Sequence, residues 1–479
     1  MLNPVNPRSM PAPLLNPPGS FGGNQIAPPD SALEVENTSQ LQVMAFKMAL
    51  VLVFINFSNI HQLLTYVLHV NFYLLYLFGI PTLLGVALAG GIQRTLRGRP
   101  AIYWTMFAGW LIAGVPFSSW PGGSAATLIP YTRTIFPMLF VIAGLTLTWR
   151  ECRSMMRAIA AGGVVIMAAA NLFQDTGGHY GERLAIEFGI ISNSNDYAVH
   201  LLFVLPFVIW VALAAKSKAL RLAAWGGVGY GVLLVLKTGS RGGLVALGAG
   251  VLYWLLRGTM RQRLGLLVAG PIAAIVLVAF VPRSSLIRLV SFSAEDAGAA
   301  QEAVESSRVR QYLLEKSIAY TLQRPIFGVG ITQFGEFEGT RNQIIGEHGY
   351  WHDTHNTYTQ VSSECGIPAL AFYVAGILST FLLVNRAYRQ ARKRPECDDI
   401  RIATFCIMLA MTTYCTGILF VNFAYFFYPL VMSSLGIAVS SAAGVEFGRR
   451  SSGSVETQPG FAPQQHWLPR RKPVAPAAT

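Results

Sequence analysis

The sequence predicts an all-α polytopic membrane protein with about twelve transmembrane helices and one large external loop between the ninth and tenth helices. The first reason is composition, because 53% of the 479 residues are hydrophobic and only 12% are charged, as in a chain solvated mainly by lipid. The second is a series of apolar runs of roughly 17–25 residues, the length that crosses ~30 Å of hydrocarbon. The third is an alternation of basic and non-basic loops between these runs.

The apolar runs divide the chain into two groups of predicted helices, 43–281 and 366–443, separated by the loop 282–365. The runs lie at about 43–62, 69–90, 101–117, 128–149, 154–174, 197–215, 220–236, 242–257, 264–281, 366–385, 402–420 and 424–443. Residues 1–42 and 444–479 are rich in Pro and polar residues, so we expect two disordered cytoplasmic tails. The chain has no nucleotide-binding motif, which argues against a pump driven by ATP hydrolysis.

The short loops alternate in charge, and this alternation predicts their side of the membrane. Five of them carry eighteen Lys and Arg residues, whereas the short loops of the other set hold only Arg183, Lys237 and Arg241. Because Lys and Arg concentrate in cytoplasmic loops, we expect both termini in the cytoplasm and residues 282–365 outside. The net charge of +13 then reflects orientation and requires no nucleic-acid partner.

Two cations stand out near the external side. Arg133 is predicted about five residues inside the fourth helix, where snorkelling to the headgroups and contact with an anionic substrate are both open interpretations. Arg241 belongs to the glycine-flanked turn 238–243 at the start of a helix, where free N–H groups and a guanidinium suit a phosphate oxygen. The alternative is a tight turn whose charge faces water.

The external loop contains a predicted helix and a predicted turn. A stretch that begins near Arg308 and Arg310 and ends at Gln323 has helix-forming residues, and 325–330 contains the glycines of a turn. The apolar positions of the helix are Val309, Leu313, Leu314, Ile318 and Leu322. The helix is expected either to lie on the outer leaflet or to pack on the bundle.

Three histidines lie within eight residues just before the tenth predicted helix: His348, His352 and His355. One interpretation is a metal site formed by His348, His352 and Asp353 or His355, although the spacing matches no standard zinc signature. Another makes His355 a general base, because an imidazole with a pKa near ~6.5 can take a proton from a sugar hydroxyl at neutral pH. An ordinary polar loop end is the third.

Aromatic and polar neighbours of His355 suit a sugar substrate. Trp351, Tyr350 and Tyr358 can stack against pyranose rings through apolar contact. Asp353 and Asn356 can hydrogen-bond hydroxyl groups or orient the imidazole. We therefore expect these side chains to contact the acceptor or to position His355.

The pattern of His355, Asn356, nine residues and Gly366 resembles that of the O-antigen ligase and polysaccharide polymerase superfamily. The resemblance covers roughly 180–385, and Ala369 stands where a further Gly is often found. It includes Ser240-Arg241-Gly242, Ser307-Arg308, the segment 325–330, and Asn195 at the start of the sixth predicted helix.

The resemblance implies a bacterial inner-membrane enzyme with its active site facing the periplasm. Such an enzyme transfers a glycan from undecaprenyl diphosphate to a hydroxyl of a glycan or lipid A-core acceptor, with inversion and with neither metal nor cofactor. His355 would be the base, and Arg241 and Arg308 would bind the diphosphate, with Arg310 competing with Arg308 and Arg133 a further candidate. Ligase and polymerase stay open, and a lipid-linked glycan flippase or secondary transporter is the alternative from another class.

Overall fold

The computed structural model describes residues 40–174, 183–189, 191–290, 299–346 and 351–455. Within them the fold is helical, and the β-pairing found there is one isolated bridge between Gln174 and Ile186. The helices are α1 (Gln40–Ser58), α2 (Ile60–Leu68), α3 (Leu74–Leu88), α4 (Gly91–Leu96), α5 (Arg99–Gly114), α6 (Pro121–Pro130), α7 (Met138–Leu145), α8 (Trp149–Leu172), α9 (Ser194–Ala214), α10 (Lys218–Lys237), α11 (Arg241–Arg257), α12 (Met260–Val278), α13 (Arg283–Val290), α14 (Ala299–Gln323), α15 (Phe334–Ile344), α16 (Thr357–Arg392), α17 (Asp398–Gly417) and α18 (Tyr428–Val455).

Nine helical segments of the described residues are long and apolar enough to cross a membrane, which confirms an α-helical polytopic membrane protein. They are Gln40–Ser58, Arg99–Phe117, Pro121–Leu145, Trp149–Leu172, Ser194–Ala214, Lys218–Lys237, Thr357–Arg392, Pro395–Gly417 and Tyr428–Ser451. The other three predicted spans correspond to α3, α11 and α12, of 15, 17 and 19 residues, which are not among the nine. The number twelve therefore stays a prediction.

The centre of the bundle is formed by α9, α17 and α18. Of the most apolar stretch of α9, 83% is buried, and this helix packs against α8, α10, α11 and α17. Packing against these four helices restrains the position of α9. The N-terminus of α9 is consequently a fixed platform for the residues around it.

Arg133 lies deeper along its helix than the sequence predicted, because the helix begins at Pro121 and not near residue 128. Twelve residues separate Pro121 from Arg133, or about 18 Å at 1.5 Å per residue. Arg133 belongs to a π turn, Tyr131–Ile135, that precedes Pro137. Proline has no N–H for the next helical bond, and the ladder shifts so that Phe136 N donates to the Tyr131 carbonyl at 2.8 Å.

Helix α14 packs on α16 and on a small apolar cluster formed by Leu313, Tyr320, Val329 and Phe334. Of the apolar positions predicted to point inward, Leu313 is buried, whereas Leu314, Ile318 and Leu322 are exposed and share one helix face. The helix therefore contacts the bundle through one side and presents an apolar stripe on another.

Helix α16 begins nine residues before the predicted start and kinks at Gly366, whose φ is 85° and ψ 172°. The segment 325–330 crosses the helix at this kink. Ile367 N donates to the Pro325 carbonyl at 2.8 Å, and Val329 N donates to the Ser363 carbonyl at 2.8 Å. A Cβ on Gly366 would lie 1.9 Å from the Ile326 carbonyl oxygen, so only glycine fits both the dihedral angles and the close approach.

Candidate functional site

His355 lies between two residues that fix the local backbone. The buried Thr354 donates its Oγ1 hydroxyl to the Asn356 carbonyl at 3.0 Å and to Asn422 Oδ1 at 3.1 Å. Asn356 caps α16, because its Oδ1 accepts from Tyr358 N at 3.0 Å and from Thr359 N at 3.2 Å. His355 itself adopts φ 52°, a left-handed conformation that costs ~1–2 kcal/mol. The hydrogen bonds on both sides hold the backbone of His355 in this conformation.

A cavity of about 360 Å³ opens beside His355. Three segments distant in sequence form its wall: the loop that leads into α9, the first half of α14, and the segment 352–355. The residues that line it are Arg183, Asn193, Asn195, Glu305, Ser306, Val309, Arg310, His352 and His355. The cavity combines cations, amides and imidazoles, and its volume suits a polar group of a substrate.

Arg310 and His355 influence each other electrostatically across this cavity. Burial, together with the charges of Arg241 and Arg288, lowers the pKa of the Arg310 guanidinium, and the carboxylate of Asp196 partly offsets them. Burial, followed by Arg310 and His352, lowers the pKa of His355 to about 4. The imidazole is therefore neutral at physiological pH and can accept a proton.

Further arginines converge on the turn between α10 and α11. Arg183 donates to the Thr238 carbonyl at 2.9 Å and to Asn195 Oδ1 at 3.2 Å. Arg241 donates to Ser307 Oγ at 2.5 Å, which ties the turn to α14. A Cβ on Gly239 would lie 3.5 Å from the Arg288 side chain. These cations form a cluster beside the cavity that suits an anion, because like charges held together favour a bound counter-ion.

The glycines that flank Arg241 have a packing role. A Cβ on Gly242 would lie 2.6 Å from the Phe420 ring, and one on Gly243 would lie 3.0 Å from Ala198. Ser240 caps α11 by accepting from Gly243 N at 3.1 Å, so this N–H is already used. The glycine pair thus lets α11 pack closely on its neighbours and so fixes the position of Arg241.

Residues 226–374 match a protein-family model described as O-Antigen ligase. The matched segment runs from α10 into α16 and contains Arg241, Arg310 and His355. This part of the chain is similar to the O-antigen ligase family. A search of curated proteins gave no match. The family indicates a membrane glycosyltransferase-type enzyme acting on lipid-linked glycans, without separating ligase from polymerase.

Two arginines that the sequence predicts to bind diphosphate do not line the cavity. Arg308 is exposed and does not line the cavity, whereas Arg310, two residues along α14, does. Arg133 lies over the ring of Tyr76, 5.3 Å from its centroid. Of these arginines, Arg310 lines the cavity together with His355. Arg241 does not line it, but its charge acts on Arg310.

The residues predicted to contact the sugar also differ in whether they lie next to the cavity. Asp353 hydrogen-bonds Asn422 and lies near His352, next to the cavity. Trp351 is 49% exposed, and its indole lies against the backbone of Gly339, where a Cβ would approach within 2.4 Å.

Tyr358 is occupied within the bundle. Its hydroxyl donates to the Cys415 carbonyl at 3.1 Å, and its ring makes an edge contact with Tyr373. Tyr358 therefore packs within the bundle, and Asn356 caps α16.

The metal interpretation of the histidine segment is tested only in part. His348 and Tyr350 lie outside the described residues. Among the residues that the structure does describe, no cluster of three His, Cys, Asp or Glu side chains has the geometry of a metal site.

Arg183, Arg288 and Asp196 were not singled out as site residues by the sequence interpretation. Arg183 had a usable signal, because it is one of three cations in a set of loops otherwise without them. Arg288 and Asp196 carried no motif, and only the packing of α13 and α9 near the turn reveals them.

Proposed function

We propose that this protein transfers a glycan from undecaprenyl diphosphate to a sugar hydroxyl, with His355 as the general base and arginines as the diphosphate site. The observation that supports this most directly is the shared cavity of His355 and Arg310, within a segment that matches the O-antigen ligase family. The acceptor is a glycan or a lipid A core. Both substrates are used at the external face, on the periplasmic side of a bacterial inner membrane.

In the proposed step, His355 takes the proton of the acceptor hydroxyl while that oxygen attacks the anomeric carbon of the donor. The bond between the anomeric carbon and the diphosphate oxygen breaks, and its electron pair leaves with the diphosphate. Attack from the face opposite the leaving group inverts the anomeric configuration. General-base catalysis of this kind contributes roughly 10²–10⁴-fold.

Arg310 and Arg241 are the residues that we assign to the diphosphate. Arg310 lines the cavity, and Arg241 is tied by Ser307 to the same helix. Fixed guanidinium groups stabilise the negative charge that develops on the leaving diphosphate, without requiring a metal or cofactor. Arg183 and Arg288 extend the cationic surface next to them.

Donor binding also adjusts the base. The charge of Arg310 is one cause of the low pKa of His355, so an anion bound to Arg310 raises that pKa by offsetting the charge. A base with a pKa closer to the working pH is a better catalyst. The same arginine thus couples arrival of the donor to activation of the acceptor.

The test is transfer in vitro by the purified full-length chain, with a lipid-linked oligosaccharide donor and a glycan acceptor in detergent. His355→Ala should abolish product, and Arg310→Gln should lower kcat/KM by about 10²–10³-fold, the usual loss for one charge-stabilising donor. Arg308→Gln is the matched control, two residues away and exposed, and should retain activity within a few-fold.

Four results would contradict parts of the proposal. Full activity of His355→Ala would remove the base from the mechanism. Equal losses for Arg308→Gln and Arg310→Gln would remove the assignment to Arg310, and inhibition by EDTA would restore the metal interpretation. Movement of intact lipid-linked glycan across vesicles without product would identify a flippase or transporter instead.

A further inference from the structure

A second cavity, of about 600 Å³, lies at the other end of α14. Its wall comes from the turn between α5 and α6, the end of α14, and α15. The lining residues used below are Trp120, Arg324, Gln333 and Phe337, together with Glu336 and Arg341. Arg324 directly follows α14 and lies fourteen positions after Arg310, which places the two cavities roughly 20 Å apart along the helix axis.

Trp120 forms an exposed platform in this cavity. One face of its indole rests on a glycine, because a Cβ on Gly123 would lie 2.5 Å from the ring. The side chain is nevertheless 58% exposed, so the opposite face is open. A flat, supported aromatic surface of this kind stacks on the apolar face of a pyranose ring.

Gln333 supplies an unsatisfied acceptor next to the platform. Its side chain is buried, and its Nε2 donates to the Ile331 carbonyl at 3.2 Å. Its Oε1 is buried without a hydrogen-bond partner among the described residues. A buried acceptor without a donor costs about 1–3 kcal/mol, and a sugar hydroxyl can supply the missing proton.

The remaining wall is rigid. The Arg324 guanidinium lies 4.9 Å from the centroid of the Phe337 ring, and Tyr320 makes an edge contact with the same ring. The turn before Trp120 is fastened by Ser119, whose N–H and hydroxyl donate to the Val329 carbonyl at 2.8 and 2.7 Å. The cavity is therefore preformed, which lowers the entropic cost of binding a ligand.

We infer that this cavity is an oligosaccharide-binding subsite that holds a glycan chain several sugars away from the reacting end. The choice of a glycan rests on the proposed function. Gln333 agrees with this choice, because its unpaired acceptor requires a donor and sugar hydroxyls donate hydrogen bonds. The glycan belongs either to the donor or to the acceptor, since both present the same chemistry.

Binding is tested with the full-length His355→Ala chain in detergent, titrated with the free oligosaccharide released by mild acid from the lipid-linked donor. Trp120→Ala should weaken binding about three- to tenfold, the range expected for one lost aromatic stacking contact, and Trp120→Phe should recover part of it. Tyr73→Ala is the control, because Tyr73 is a 63% exposed aromatic residue that does not line the cavity.

Kinetic measurements then tell whether the glycan chain bound in this cavity belongs to the donor or to the acceptor. In the active enzyme, Trp120→Ala should raise KM for a donor or an acceptor of many repeat units and leave KM for a single-unit substrate unchanged. Dependence on donor length assigns the subsite to the donor, and dependence on acceptor length assigns it to the acceptor. Equal effects on long and short forms of both would overturn the subsite.

Two outcomes separate this inference from its premises. If Trp120 is only an interfacial anchor, Trp120→Ala will lower the thermal midpoint in lipid nanodiscs and leave oligosaccharide binding intact, and the subsite is overturned. If the oligosaccharide binds through Trp120 but no transfer product forms, the subsite holds and the proposed transferase activity fails.

Discussion

Replacing Gly366 by alanine tests the structural explanation of the glycine that ends the histidine motif. At φ 85° and ψ 172°, a side chain costs about 1–3 kcal/mol in backbone strain. The new Cβ would also meet the Ile326 carbonyl oxygen at 1.9 Å. Moving that carbonyl would break the hydrogen bond that Trp110 Nε1 donates to it at 3.3 Å, worth about 0.5–1.5 kcal/mol.

The expected loss is thus about 2–4 kcal/mol in the free energy of unfolding, measured by titrating the purified chain with SDS in mixed micelles. Gly248→Ala is the matched control. Gly248 lies in α11, where an added Cβ would meet no other atom within 4 Å, so alanine there should be neutral or stabilise by up to about 1 kcal/mol.

The remaining folded fraction of Gly366→Ala should keep the wild-type pH dependence of transfer, because the substituted residue touches neither substrate. An unfolding midpoint equal to that of wild type would refute the steric explanation. A variant that is as stable as wild type but inactive would refute it differently, by showing that Gly366 takes part in the chemistry.

Three further predictions concern the base, its support and the topology. The pKa of His355 is lowered to about 4, so the base is neutral above that pH and kcat/KM should fall only as the pH drops through about 4. The acidic limb of the kcat profile should lie at higher pH, because bound diphosphate offsets the charge of Arg310. Acidic limbs at the same pH for kcat and kcat/KM would contradict this coupling. Asn356→Ala should lower the free energy of unfolding by about 0.5–2 kcal/mol through loss of the helix cap, whereas Asn356→Asp should retain most of the wild-type stability. A larger loss for the aspartate variant in the same SDS titration would contradict the capping role. A cysteine at Ile344, which is 79% exposed, should react with an impermeant maleimide on intact spheroplasts, since the native cysteines are buried or half-buried; protection would place the loop in the cytoplasm.

The membrane fold was predictable because its signals are one-dimensional. Apolar length and loop charge are read directly from the chain, and the nine described segments long and apolar enough to cross a membrane overlap predicted runs. The boundaries were less predictable, as for α16, which begins at Thr357 and not at residue 366. Polar residues such as Gln360 and Glu364 are buried on this first part of α16, and a search for apolar runs excludes them.

The site was predictable only where it carried a motif. His355 and Arg241 stood out by their neighbours in sequence, but the choice between Arg308 and Arg310 depends on which face of α14 meets the cavity. Two residues along a helix rotate a side chain by about 200°, so the two arginines point in nearly opposite directions. The spacing in the sequence alone predicts that the two side chains point in nearly opposite directions. It does not tell which of them faces the cavity.

The glycines of the motifs show why a correct pattern does not establish its cause. The turn at Arg241 suggested close approach of a phosphate, yet Gly242 and Gly243 are in contact with Phe420 and Ala198. In the proposed mechanism the guanidinium of Arg241 binds the anion, and the glycines fix where it lies.

In the proposed mechanism, the order of binding follows from Arg310. Before a donor binds, Arg310 and burial hold His355 neutral but only weakly basic, so the free enzyme is a poor activator of any hydroxyl group, including that of water. Diphosphate binding neutralises the cation and raises the basicity of the imidazole only when a donor is in place. The acceptor is therefore activated after the donor has bound, and one arginine links leaving-group recognition to nucleophile activation.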